Sequence, residues 1–114
     1  MKILNEKEII QLKEYLQTII GHPVAFAKQK SVMGENNFCL WCEEWELIEM
    51  LKFLINGKEN YTNDPPPNRL RNSVLLWSKE GIEAKVIKDL GNLETIEQII
   101  EYFKNKREHF NESI

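Results

Sequence analysis

At 114 residues, with 15 Lys and Arg against 18 Asp and Glu, the chain carries a formal net charge of −3 and suits one domain over 1–114. Its 42% apolar and 29% charged residues exclude a disordered chain, and no apolar run reaches the ~20 residues that span a bilayer. The acidic balance argues against direct nucleic-acid binding, which draws on Lys and Arg. Charge at Lys2 and Glu6 comes too early for a secretory leader, so the expected compartment is the cytoplasm.

The first element reads as a helix. Asn5 and Glu8 have capping-box spacing, and Ile9, Leu12, Leu16, Ile19 and Ile20 recur on one helical face. Gly21 ends it and Pro23 prevents its resumption. Val24–Ala27 and Asn37–Cys42 then read as two short strands, joined through the turn-forming Gly34 and Asn36. From Glu43 the pattern changes. Seven of the nine residues from Leu47 to Ile55 are apolar, and Glu43, Glu44 and Glu46 lead in as acids complement a helix N-terminus. That apolar content exceeds one stripe, so this helix is expected to be sandwiched or to join an interface.

Residues 56–72 form a polar stretch with three consecutive prolines, longer than most structureless loops in compact domains. Ser73–Ser78 and Ile82–Lys88 read as a hairpin around Lys79-Glu80-Gly81. A last helix follows Gly91-Asn92, with Leu93, Ile96, Ile99, Ile100 and Phe103 on one face and a frayed tail over 108–114. The order α-β-β-α-β-β-α predicts an α+β fold whose antiparallel sheet is packed by helices.

Chemistry-bearing motifs are sparse. Cys39-Leu40-Trp41-Cys42 has the C-x-x-C spacing of thiol oxidoreductases, placed just before a helix whose dipole would lower the first thiol's pKa. The stretch from Ser73 to Phe103 resembles the hairpin and helix that end a thioredoxin fold. Against it, Gly57–Pro67 holds no strand, and three acids follow Cys42 where they would raise a thiol pKa. The favoured reading treats both cysteines as small apolar residues of a core strand. One C-x-x-C supplies two of the four ligands of a structural zinc site, and His22 and His109 lack ligand spacing, so neither metal nor other cofactor is expected. No G-x-S-x-G, Walker A, G-x-G-x-x-G or H-E-x-x-H signature occurs, so the chain is not expected to be an enzyme. Asp64-Pro65-Pro66-Pro67-Asn68 lacks P-x-x-P spacing and reads as a stiff loop.

Charge is unevenly spread. Residues 43–64 carry −4 and residues 65–91 carry +2. Acids beside exposed aromatics make a surface for a basic partner, because charge steers encounter and aromatics anchor it. The residues expected to form it are Glu43, Glu44, Trp45, Glu46, Glu49, Tyr61 and Asp64. The function this favours is a small acidic inhibitor, immunity- or antitoxin-like, that blocks a larger basic protein such as a toxin nuclease. The alternatives are an adaptor or chaperone-like subunit that homodimerises through the second helix, and a thioredoxin-like thiol oxidoreductase.

Overall fold

The structure is a computed structural model that describes residues 3–20, 40–64 and 78–113, with backbone alone at 40–42 and 110–113. The described residues form four helices and no strand: α1 (Glu6–Ile20), α2 (Leu40–Asn56), α3 (Lys79–Leu90) and α4 (Ile96–Ser113). The expected α+β fold, with its sheet, is therefore overturned: among the described residues the architecture is all-helical. None of these helices is long and apolar enough to cross a membrane.

α1 starts where its sequence says it should. Asn5 Oδ1 accepts from the Glu8 N–H at 2.8 Å, and Glu8 Oε1 accepts from the Asn5 N–H at 3.0 Å, a reciprocal box that satisfies two otherwise unpaired donors. Leu12, Leu16 and Ile19 form its buried stripe, whereas Ile20, expected on that face, is exposed. α2 is the central element. Leu47, Met50, Leu51, Phe53 and Leu54 are buried around more than one face, and the helix packs against α1, α3 and α4, as its excess of apolar residues predicts. It starts at Leu40 rather than Glu43, so residues 40–42 of the expected strand belong to its first turn. Its end lies where Asn56-Gly57 places it. Gly57 adopts φ +82°, a conformation that costs an L side chain about 1 kcal/mol or more, while its N–H still donates to Phe53 O at 2.9 Å. The Gly57 carbonyl then accepts from the Asn60 and Tyr61 N–H groups and turns the chain back along α2.

The expected strand at Ile82–Lys88 is helix α3, and the expected hairpin turn at Lys79-Glu80-Gly81 is its first turn. The sequence here alternates apolar and polar residues, so it satisfies period 2 as well as the helical spacing of Ile82, Val86 and Leu90. Two things decide for the helix. Ser78 caps it, its hydroxyl accepting from the Gly81 N–H at 3.0 Å, and the i, i+4, i+8 set is completely buried against α2. Ile87 lies off that stripe and stands 62% exposed.

α4 is capped by Thr95 and Gln98. The Thr95 hydroxyl accepts from the Gln98 N–H at 3.1 Å, and Gln98 Oε1 accepts from the Glu94 and Thr95 N–H groups. Ile96, Ile99 and Phe103 are its buried face. The helix runs to Ser113, through residues expected to fray. The remaining expectations at 21–39 and 65–77, including Val24–Ala27, His22, Cys39 and the triple proline, lie outside the described residues.

The cap geometry gives a direct test. Asn5→Ala should lower the unfolding free energy by about 1 kcal/mol and Asn5→Ser by much less, read from urea unfolding followed by circular dichroism.

Candidate functional site

The seven residues expected to form one acidic surface are divided by the helical repeat of α2. Trp45 and Glu49 lie on one face, together with Tyr61 and Asp64 from the following loop. Glu43 and Glu46 lie on another. Glu44 is 2% exposed and takes no part in an open surface.

The first group is a structural clamp. Glu49 is 1% exposed, and its carboxylate is fully engaged. Its Oε1 accepts from the Tyr61 hydroxyl at 2.7 Å and from the Asp64 N–H at 3.1 Å, while Oε2 meets the Lys52 ammonium at 2.8 Å. The Trp45 indole N–H donates to the Asp64 carbonyl, so both polar groups of the Asp64 backbone are held by α2. Tyr61, expected to be exposed, is 2% exposed and packs edge-on against Phe53 at 5.4 Å between centroids. Its burial, and then the hydrogen bond and charge of Glu49, push its hydroxyl pKa far above the ordinary tyrosine value. Only Asp64 among these four stands open to solvent. The correction has a plain cause: a count of charges along the chain does not distinguish a carboxylate facing water from one buried against a tyrosine.

The second group opens onto a cleft of about 320 Å³ between α2, α3 and α4. Glu43 and Glu46 form its α2 wall over the apolar Leu47 and Met50, Lys85 enters from α3, and Tyr102, Asn105, Lys106 and His109 come from α4. The α3–α4 side is knitted together at Asp89, whose Oδ2 receives the Tyr102 hydroxyl at 2.7 Å and the Lys85 ammonium at 3.0 Å. Burial pushes the Asp89 carboxyl up, but those two hydrogen bonds and the neighbouring positive charges outweigh it and hold the group below its usual range. Burial pulls the Lys85 ammonium down, and its Asp89 hydrogen bond and the charges of Glu46, Asp89 and Glu43 more than restore it.

Glu46 is treated differently. It is 7% exposed, and its Oε2 has no hydrogen-bond partner among the described residues. Burial is the main cause that pushes its carboxyl up to about 7, with the charges of Lys85 and Lys106 pulling the other way and that of Asp89 adding to the rise. Buried polar groups are normally satisfied, so an oxygen without a donor marks a site that is incomplete. No Ser, Thr or Cys lines the cleft among the described residues, and no group of three or more His, Cys, Asp or Glu among them is placed to hold a metal ion. What the cleft offers is acceptor capacity on its α2 wall and an aromatic face on its α4 wall.

Beyond Tyr102 and Asn105, which it shares with the cleft, a second and more open groove of about 590 Å³ runs along the start of α4. Leu93, Glu97, Gln98 and Glu101 complete it, and Glu94, Glu97 and Glu101 are all exposed. Sequence reasoning missed this groove. The i, i+4 spacing of Glu97 and Glu101 was available as a signal, but the bases at Lys104, Lys106 and Arg107 dilute it in any segment sum.

The thioredoxin likeness that accompanied the C-x-x-C motif is not kept. Cys39 lies outside the described residues, Cys42 falls in the first turn of α2, and the Ser73–Phe103 likeness to a thioredoxin end fails because Ile82–Lys88 is helical.

Two outcomes follow from the two carboxylates. Glu49→Ala strands a buried hydroxyl and a backbone N–H, so it should cost about 2–4 kcal/mol and accelerate amide exchange across residues 57–64. Glu46 binds its proton more tightly in the folded state, near 7, than at its ordinary value of 4.5. Its contribution is therefore fully favourable below about pH 4.5 and is lost as pH rises towards 7, by on the order of 3 kcal/mol. Glu46→Gln should match the parent near pH 4.5 and exceed it in stability at pH 8; an equal difference at both values in urea unfolding would refute this. Comparison with known protein families, with curated proteins and with solved structures finds no match for this chain.

Proposed function

We propose that this chain is a small acidic binding protein of inhibitor type, immunity- or antitoxin-like, that blocks a larger basic partner such as a toxin nuclease in the cytoplasm of the producing cell. The observation that carries the reading is the acidic groove of α4, lined by the exposed Glu97 and Glu101 beside Leu93 and Tyr102, with the exposed Glu94 just ahead of the helix. The groove shares Tyr102 and Asn105 with the cleft that Glu43 and Glu46 line. Carboxylates around an apolar and aromatic strip suit a partner that brings Lys and Arg, because complementary charge steers encounter and Tyr supplies an anchor with little rotamer entropy to lose. In this reading the acidic contact surface is Glu97 and Glu101 of α4 with the neighbouring Glu94, rather than residues 43–64 as a whole.

The adaptor alternative assigns a dimer interface to α2. Leu47, Met50, Leu51, Phe53 and Leu54 of that helix are already buried within one chain, which leaves that reading the half-buried Ile48 and Ile55 among the described apolar residues of 47–55. The thiol oxidoreductase alternative keeps the spacing of Cys39 and Cys42 and the start of α2 at Leu40, but the helix at Ile82–Lys88 takes away the thioredoxin-like hairpin it drew on.

The test reverses the groove and leaves the interior alone. Glu94, Glu97 and Glu101 are exposed, so their joint change to Lys should preserve the circular dichroism spectrum and cost little stability. The parent chain should capture a basic protein from its native host and inhibit that protein's activity, and the triple variant should lose both. Capture and inhibition undiminished by the reversal would sink the assignment of this surface.

A further inference from the structure

We infer that the cleft between α2, α3 and α4 receives an arginine side chain of the partner, with the guanidinium donating to Glu46 and lying against the ring of Tyr102. The inference rests on the binding-protein reading above and names the chemistry of its contact.

The argument starts from what the free protein leaves undone. Glu46 lines the cleft, is more than nine-tenths buried, and has an Oε2 without a hydrogen-bond donor. The terminal torsion of a glutamate is broad and nearly two-fold, so either oxygen turns to a donor in the cleft at little cost. A charge kept in this state is unfavourable to the free fold, and an incoming cationic donor is what relieves it. Glu43, one helical turn away on the same wall, adds negative charge. Two lysines line the other walls: Lys85 is already held by Asp89 at 3.0 Å, and Lys106 is exposed, so it can give way to an incoming cation.

The choice of guanidinium over other cations comes from the α4 wall. The Lys106 ammonium lies 5.7 Å from the centroid of Tyr102. This ring therefore already accepts a cation, and it does so with an exposed lysine that gains little there and returns readily to solvent. The Tyr102 hydroxyl is tied to Asp89 at 2.7 Å, which pins the far end of the side chain in the cleft wall. An aromatic ring and a buried carboxylate lining one cleft suit a planar fork that stacks and donates in its own plane, whereas an ammonium is more strongly hydrated and has no plane to match. At about 320 Å³ the cleft is at the small end of ligand-sized pockets, of a scale for one long side chain rather than a large cofactor.

The probe is the peptide acetyl-Gly-Ser-Arg-Ser-Gly-amide, titrated at pH 8 into the isotope-labelled full chain and followed by amide chemical shifts. Its companions carry citrulline, an uncharged isostere, or lysine in place of arginine, and N-acetylarginine methylamide tests whether the side chain alone carries the contact. The arginine peptide should give saturable shifts at Glu46, Asn105 and Tyr102, the lysine peptide weaker ones and the citrulline peptide none. Glu46→Gln, whose spectrum reports that it folds, should weaken the arginine peptide about tenfold or more, as loss of a charge-assisted hydrogen bond does. N-acetylarginine methylamide should bind about as tightly as the peptide, and failure of this derivative to bind would overturn a contact carried by the arginine side chain. Equal binding of citrulline, or no loss in Glu46→Gln, would overturn the cleft contact itself. Shifts confined to Glu94, Glu97 and Glu101 would reject the cleft and leave the acidic groove standing, whereas loss of partner capture only in the groove reversal, with Glu46→Gln unaffected, would do the same from the partner's side.

Discussion

The arrangement turns on a buried carboxylate. Glu49 lies in the middle of α2, where a charge without partners would be strongly destabilising, and it is tolerated because Lys52, the Tyr61 hydroxyl and the Asp64 N–H all converge on it. Hydrogen bonds to a charged acceptor are each worth more than neutral ones, and removing any donor leaves part of the desolvation cost uncovered. The loop after Gly57 therefore has to fold back along α2, and in doing so it seals Tyr61 and Phe53 into the core. α2 then has apolar partners on its remaining faces, and α1, α3 and α4 assemble around it.

Within that frame the two buried acids of α2 contrast. Glu49 and Glu46 are three residues apart and similarly hidden, yet one has every partner it needs and the other has an oxygen with none among the described residues. The difference lies in what faces them. Glu49 looks onto a loop supplying a hydroxyl and a backbone N–H, while Glu46 looks onto a wall whose lysine and tyrosine are already committed to Asp89. Strain of this kind tends to gather where a protein meets something else, because the free state alone gives no reason to keep it.

Parts of this were legible in the chain. Asn5 and Glu8 announce α1, Asn56-Gly57 announces the end of α2, and the crowding of apolar residues between them announces a central helix. The errors have specific physical sources. Ile82–Lys88 satisfies strand and helix periods together, and only Leu90 at i+8 and Ser78 at the cap separate them. The box of Thr95 and Gln98 has the same spacing as that of Asn5 and Glu8, but Gly91-Asn92 offers a competing start signal four residues ahead of it. The acidic residues of 43–64 were recognised as a group and misplaced as a surface, since what buries Glu49 is a tyrosine twelve residues on, a relation no local spacing encodes. The cleft was invisible for the same reason: its walls come from three helices whose facing residues are set by packing alone.

The clamp also restricts how this protein can change length. A single oxygen of Glu49 accepts from two groups three residues apart in the chain, Tyr61 and Asp64, and the carbonyl of that same Asp64 is held by Trp45. With Gly57 fixing where the loop leaves α2, the span from 57 to 64 has no slack. An added or missing residue there lets one donor reach and withdraws another. The caps of α1, α3 and α4, by contrast, close within three residues of sequence and travel with their helices. Variation in loop length among proteins sharing this architecture should therefore collect ahead of those caps and spare the short turn beneath Glu49, which makes an insertion there a sign that the tyrosine or the glutamate has been replaced as well.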